Sequence, residues 1–138
     1  MRSINTEIDI YSPADHVWAI LINFHNYNLW NPFIEDIKGT LEVGNKLKVR
    51  FKNNITFKPT VTKLVPQKEL SWVGKLFFKG LFDCEHIFIL EKVNDKKTRF
   101  IQKENFSGLL VPLFSGVIKK AEKGFSDMNK ILKSVSEI

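Results

Sequence analysis

The spacing of apolar residues changes period along the chain, and the last quarter carries the most regular pattern. Between Leu109 and Val135, the residues Phe114, Val117, Ile118, Ala121, Phe125, Met128, Leu132 and Val135 fall on one arc of a helical wheel. Lys119, Glu122, Lys123, Ser126, Asp127, Lys130, Lys133 and Ser134 fall on the other side. Unbroken spacings of three and four residues predict an amphipathic helix of about six turns. Gly124 lies within the apolar arc, where glycine costs about 1 kcal/mol relative to alanine. With Ala121 on the same arc, the helix presents a shallow, small-residue surface. It suits either close backbone packing or a guest.

Upstream, Ile4, Thr6, Ile8 and Ile10 alternate with polar neighbours and predict a first strand. It stops at Ser12-Pro13-Ala14-Asp15, where Ser12 as N-cap, Pro13 at the first helical position and Asp15 facing the dipole predict a helix start. That helix carries Val17, Trp18, Ile20 and Leu21, and a second short one follows around Phe24 to Tyr27. The run Leu29-Trp30-Asn31-Pro32-Phe33 is an aromatic corner that cannot continue a helix. From Ile34 to Ser107 the period is two. Strands are predicted at about Glu35–Leu41, Lys46–Asn53, Phe57–Val65, Glu69–Leu76, Phe82–Val93 and Thr98–Ser107. The connections are too short for parallel crossovers, so neighbouring strands are antiparallel.

The expected architecture is α+β: a seven-stranded antiparallel sheet curled around one long C-terminal helix, with two short helices after the first strand. A curled sheet closed by one helix leaves space at the end where the short helices sit, a natural place for a cavity. At 138 residues the chain reads as a single domain, 1–138. Twelve phenylalanines suit a large core or a lined pocket.

Charge and cysteine usage narrow the function classes. Net charge is +6 and the pI is near 9.4, but lysine supplies nearly all of it and the lysines are scattered. Nucleic-acid readers favour arginine for bidentate contacts, so specific nucleic-acid binding is not expected. Weak attraction to anionic surfaces is compatible with the charge. Cys84 stands alone, the N-terminus has no apolar leader and no run approaches the ~20 residues of a membrane span, which together point to a soluble cytoplasmic protein. No histidine or cysteine pair has zinc-ligand spacing, the glycines Gly39, Gly44, Gly74 and Gly80 form no phosphate loop, and no cofactor is expected.

Several local stretches resemble one superfamily. They are Ser12-Pro13-Ala14-Asp15-His16-Val17-Trp18, Trp30-Asn31-Pro32-Phe33-Ile34, Phe57-Lys58-Pro59-Thr60-Val61, Glu69-Leu70-Ser71-Trp72-Val73-Gly74, Gly80-Leu81-Phe82-Asp83-Cys84-Glu85-His86, Phe106-Ser107-Gly108-Leu109-Leu110 and Gly124-Phe125-Ser126-Asp127-Met128-Asn129. With the element order, they resemble the helix-grip, START-like (SRPBCC) superfamily, in its bacterial branch of small polyketide cyclase/dehydrase-like proteins. The resemblance implies a cavity for a hydrophobic molecule such as a lipid, a polyketide-like aromatic or a quinone. It is far more specific for fold than for function. That branch usually has glycine where Cys84 stands, so this chain adds a side chain near the presumed cavity wall.

Two residues are candidates for chemistry. On the strand Phe82–Val93, Cys84, His86, Phe88 and Leu90 share one face, and both faces are partly apolar. The resemblance turns the His86 face toward the helix, where His86 is either a hydrogen-bonded core histidine or a group that donates to a ligand or acts as a base. On the next strand Phe100, Gln102, Glu104 and Phe106 form the aromatic, inward face. A buried Glu104 needs a partner, and His86 across adjacent strands would make an acid/base couple; bonding to a backbone group or Trp72 is the structural alternative. Trp30, Asn31 and Phe33 would roof the cavity or simply pin a turn. Cys84 reads as a small buried residue.

The candidate ligand-binding set is Trp30, Asn31, Phe33, Phe57, Val61, Trp72, His86, Phe88, Phe100, Gln102, Glu104, Phe106, Phe114, Val117, Ala121, Gly124 and Phe125. The leading expectation is a binding protein, monomeric or a weak homodimer. An enzyme of the cyclase/dehydrase kind using His86 and Glu104 is the alternative. A third reading is an interaction module whose contact face is Lys46, Lys48, Arg50 and Lys52, since the resemblance includes relatives that bind other proteins.

Overall fold

The computed structural model describes residues 1–75 and 78–138. The order is β1 (Arg2–Ile10), α1 (Ala14–Ile22), a 3₁₀ turn (Phe24–Asn26), α2 (Tyr27–Trp30), β2 (Ile34–Lys38), β3 (Lys48–Phe51), β4 (Thr56–Phe57), β5 (Thr60–Val65), β6 (Glu69–Lys75), β7 (Asp83–Asn94), β8 (Lys97–Ser107), a second 3₁₀ turn (Val111–Phe114) and α3 (Ser115–Ser136). Leu76, expected to end the fifth of the seven strands, lies outside the described residues.

The strands form two antiparallel sheets where one of seven strands was expected. The larger has the order β1-β8-β7-β6-β5 and the smaller β2-β3-β4. The division falls inside the stretch Phe57–Val65, whose alternation reads as one strand. Pro59 interrupts it, because proline has no N–H for a ladder. Phe57 therefore pairs with Val49 in the small sheet, while Val61 pairs with Trp72 in the large one. A bridge between Lys46 and Thr60 joins the two, and the Pro59 carbonyl accepts the Leu47 N–H at 2.9 Å. A register shift between Val61 and Lys63 adds the local bend expected of a β-bulge. The antiparallel β layer is thus curled, with a corner at Pro59.

On β7 and β8 burial alternates with period two. Cys84, His86, Phe88 and Leu90 are buried, as are Thr98, Phe100, Gln102, Glu104 and Phe106. The face carrying His86 is the inner one. Across it α3 packs along β1, burying Ile118, Phe125, Met128 and Leu132 from its apolar arc. Asn129 is buried with them. Its Nδ2 donates to Thr6 Oγ1 at 2.9 Å, and that hydroxyl donates to the Gln102 carbonyl at 3.0 Å, so the helix is fastened through β1 to β8.

Two helix starts differ from expectation. α3 begins at Ser115, not near Leu109, because a tight corner and the 3₁₀ turn containing Pro112 precede it. Gly108 makes that corner, with φ +117° and a position where a Cβ would stand 2.4 Å from the Leu81 carbonyl oxygen. At α1, Pro13 occupies the N-cap place and no side chain caps it. Ser12 is instead buried, and its carbonyl accepts the Thr98 hydroxyl at 2.8 Å, tying the helix entry to β8.

Candidate functional site

Between the two sheets and α3 lies a cavity of about 560 Å³. The large sheet contributes Trp72, His86, Phe88, Gln102, Glu104 and Phe106, and α3 contributes Val117, Lys120, Ala121, Gly124, Phe125 and Met128. The small sheet and its approaches supply a third wall of Phe33, Ile34, Val49, Phe51, Asn53 and Phe57. Most of this wall is aromatic or aliphatic, as expected of a site for an apolar guest. Asn53, Val117 and Lys120 are exposed and mark where the cavity meets solvent.

Among the sequence candidates, Phe33, Phe57, Trp72, His86, Phe88, Gln102, Glu104, Phe106, Val117, Ala121, Gly124 and Phe125 stand on this wall. Five stand elsewhere. Trp30 packs edge-on against Tyr27, with ring centres 5.0 Å apart. Asn31 is turned into its own corner, where Oδ1 accepts the N–H groups of Phe33 and Ile34 at 3.0 and 2.9 Å. Val61 is buried where the sheets meet, Phe100 lies beneath Phe88 at 6.1 Å, and Phe114 packs against Phe82 at 5.0 Å. Sequence reasoning missed Ile34, Val49, Phe51, Asn53, Lys120 and Met128. The alternation of Leu47, Val49 and Phe51 with Lys46, Lys48, Arg50 and Lys52 carried the signal for part of that third wall.

The polar part of the wall is a chain of three side chains. His86 stands directly opposite Trp72 on β6 and Glu104 on β8. Its Nδ1 is in direct contact with Glu104 Oε2. In the tautomer that keeps its proton on Nδ1, the Nδ1–H donates to that carboxylate and Nε2 is the ring's acceptor, taking an N–H from Gln102 Nε2 at 3.0 Å. The imidazole is packed by Trp72 (5.8 Å), Phe88 (4.4 Å) and Phe125 (5.0 Å, nearly perpendicular). Both ring nitrogens are therefore engaged by the protein. His86 can exchange a proton with a guest only after Gln102 releases Nε2.

Cys84 is not on the cavity wall. It packs with Phe82, Phe106, Ile118 and Phe125 in a second apolar cluster. Burial, reinforced by the negative charges of Glu104 and Asp83, pushes its thiol up to about 12. A thiol held protonated in this way is a poor nucleophile. Asp83 and Glu85 face outward: Asp83 accepts the Gly80 N–H at 3.0 Å, and Glu85 accepts from Asn105 Nδ2 at 3.0 Å. On the proposed basic face, Lys46, Lys48 and Lys52 are exposed while Arg50 is paired with Asp36 at 2.7 Å. Among the described residues, no three His, Cys, Asp or Glu side chains gather as metal ligands do, and no helix is long and apolar enough to cross a membrane.

The sequence profile described as polyketide cyclase / dehydrase and lipid transport matches residues 1–137. The chain belongs to that family. Its structural neighbours agree on the fold. Protein MLL2253 from Mesorhizobium loti superposes with a TM-score of 0.80 at 18% identity, covering 96% of this chain and 95% of that one. The Aha1 dimer from Colwellia psychrerythraea gives 0.79 at 24% identity over 100% and 98% of the two chains. A START superfamily protein from Mycobacterium smegmatis gives 0.76 at 17% identity over 98% and 97%. These three structures share the architecture at identities that carry fold alone. No curated protein matches the chain.

Proposed function

We propose that this polyketide cyclase/dehydrase and lipid transport family member is a cytoplasmic binding protein that encloses one small or medium apolar molecule between its sheets and α3. A lipid, a polyketide-like aromatic and a quinone are the candidate classes. The observation that carries the reading is the cavity of about 560 Å³, walled by Phe33, Phe51, Phe57, Trp72, Phe88, Phe106 and Phe125. That volume lies within the ~300–1,000 Å³ of small-molecule sites. Its buried polar groups, His86, Gln102 and Glu104, all stand on the large sheet, so they orient a guest more than they hold it. Native mass spectrometry of the protein purified without detergent tests this directly. A mass excess released as an organic molecule on denaturation is expected. A bare polypeptide mass, together with failure to take up any apolar fluorescent probe, overturns it.

A second reading is an enzyme of the cyclase/dehydrase kind, favoured by the Glu104–His86 contact on the cavity wall. A carboxylate that orients an imidazole is the arrangement of a general base. The engagement of Nε2 by Gln102 counts against it. A guest that leaves the protein with the mass and the fragmentation pattern it had on entering has been neither dehydrated nor cyclised, which excludes this reading and spares the first.

A further inference from the structure

One corner of the molecule exposes more apolar surface than folding explains. Leu109, Leu113 and Val117 recur every four residues through the 3₁₀ turn into α3, and they are 80%, 77% and 57% exposed. Phe78, 78% exposed, belongs to the same corner. Its loop is bonded there by Leu109 N–H to the Gly80 carbonyl (3.1 Å) and by Leu110 N–H to the Leu81 carbonyl (2.9 Å). Val117 is also part of the cavity mouth, so the strip runs up to the opening. Single exposed apolar residues need no explanation, but four on two segments bonded to each other beside a cavity mark a surface that meets something apolar.

The charges around the strip identify the partner. Lys79 adjoins Phe78, and Lys120 follows Val117 at the mouth; neither makes an ion pair among the described residues. Of the nearby acids, Asp83 is held on the Gly80 N–H and Glu122 is exposed. A second copy of this chain seated on the strip would bring the same unpaired lysines face to face, on molecules that each carry +6. A lipid bilayer with anionic headgroups offers the opposite charge and an apolar interior within a few ångströms of it.

We propose that the corner formed by Phe78, Leu109, Leu113 and Val117, flanked by Lys79 and Lys120, docks on an anionic membrane surface. Docking there sets the cavity mouth at the headgroup level. The surface shares Val117 and Lys120 with the cavity mouth, whereas Phe78, Leu109 and Leu113 lie outside the cavity wall, so a test through the leucines does not depend on what the cavity holds.

The experiment is co-sedimentation of the full chain with vesicles of phosphatidylcholine alone and with phosphatidylglycerol in equal parts. Binding to the mixed vesicles, and little to the neutral ones, is expected. The double variant Leu109→Gln/Leu113→Gln should lose roughly tenfold or more in binding. Because those leucines lie outside the cavity wall, it should keep wild-type uptake of a soluble apolar fluorescent probe, which also reports that it is folded. Lys79→Glu/Lys120→Glu should reduce the preference for anionic vesicles by roughly fivefold per lysine. The proposal is overturned if the wild type stays in the supernatant with both vesicle types, or if the leucine variant binds as well as wild type. It is also overturned if ultracentrifugation shows a wild-type dimer that the leucine variant dissociates, since the strip would then cover a second copy. Loss of probe uptake by the wild type, with vesicle binding intact, would instead count against the cavity reading alone.

Discussion

Gly124 on α3 faces the ring of Phe33 across the cavity mouth. A Cβ added at Gly124 would lie 3.5 Å from Phe33 Cε1 and 3.8 Å from Cδ1, and it would meet nothing else outside its own helix within 4 Å. Close packing of backbone against backbone therefore does not account for the glycine. Gly124→Ala is expected to stabilise the protein by about 1 kcal/mol, the helix propensity difference, because the methyl group finds ordinary contact. Gly124→Leu places a branched side chain between Phe33 and the cavity. It should weaken uptake of an apolar probe by roughly tenfold or more while the thermal transition stays cooperative. Unfolding of the alanine variant would show that the space is not there.

A second glycine is fixed by contact. Phe57 lies over Gly74, so closely that a Cβ there would stand 2.1 Å from Cζ and 2.4 Å from Cε2. Gly74→Ala should cost about 1–3 kcal/mol in urea unfolding, the range for overpacking, as the Phe57 ring is forced aside. Adding Phe57→Ala removes the obstacle, so the double variant should be more stable than the sum of the singles requires. Strict additivity would mean that the ring is not seated on Gly74.

Much of this was legible in the sequence, and the gaps have physical causes. Alternation on β7 and β8 showed which residues share a face, because both strands have one buried side and a neighbour on each edge. Alternation also ran straight through Pro59, and parity cannot reveal that Phe57 and Val61 belong to different sheets. The small sheet's share of the cavity, Val49 and Phe51 above all, was lost with that division. The helical wheel identified the arc that packs, but it could not separate Ile118, which meets the core, from Val117, which meets solvent at the mouth. Asn129 was missed because its burial depends on a hydroxyl, Thr6, from the other end of the chain. Trp30 and Phe114 are half-buried against Tyr27 and Phe82 and not on the cavity wall, because a pattern gives burial and not the partner.

The Cys84 thiol, raised from its ordinary 9.0 to about 12 by burial and by two nearby carboxylates, should be unreactive near neutral pH. Modification by a water-soluble disulfide reagent at pH 8 is expected to be far slower than in the urea-unfolded chain. Folding favours the protonated form here, so this group's contribution to stability is complete below about pH 9. It is lost as pH rises from there through about 12. Thermal unfolding of wild type should therefore decline more steeply over that interval than that of Cys84→Ala. Parallel curves would show that the thiol is not shielded.

At the other end of the scale, two carboxyls fasten the end of β1: Asp9 to β8, and Glu137, just past α3, to the Tyr11 N–H. Hydrogen bonding to the Arg99 guanidinium, with Lys97 nearby, holds Asp9 below its ordinary value. Lys133 and the Tyr11 N–H do the same for Glu137. Both carboxylates are in part open to solvent, so salt screens much of the effect. The sign is that of a depressed acid: the stabilisation is present above the ordinary carboxyl range and lost as pH falls through the lowered values. Acid unfolding of Asp9→Asn/Glu137→Gln should be less steep below pH ~4 than that of wild type, and the difference should shrink in high salt. An unchanged acid limb would remove these contacts from the account of stability.

The buried pair on the cavity wall separates structure from chemistry. Removing either partner leaves a polar group unpaired inside an aromatic shell, so His86→Phe and Glu104→Leu should each cost about 1–3 kcal/mol. The double variant removes both needs at once and should be less destabilised than the sum by about 0.5–3 kcal/mol. A coupling energy near zero in urea unfolding would mean that the contact of His86 Nδ1 with Glu104 contributes nothing. The same double variant decides between the two readings of function. If the trio only orients a guest, the variant still takes up an apolar probe, and natural guest recovered from it matches that from wild type. If the pair performs acid/base chemistry, the guest recovered from the variant is the unreacted precursor, distinguished by mass where water is lost and by fragmentation pattern where a ring is closed. Gln102→Leu sharpens the distinction, because it frees His86 Nε2 toward the cavity: on the binding reading stability falls and nothing is turned over, whereas a base held in check by Gln102 becomes more active.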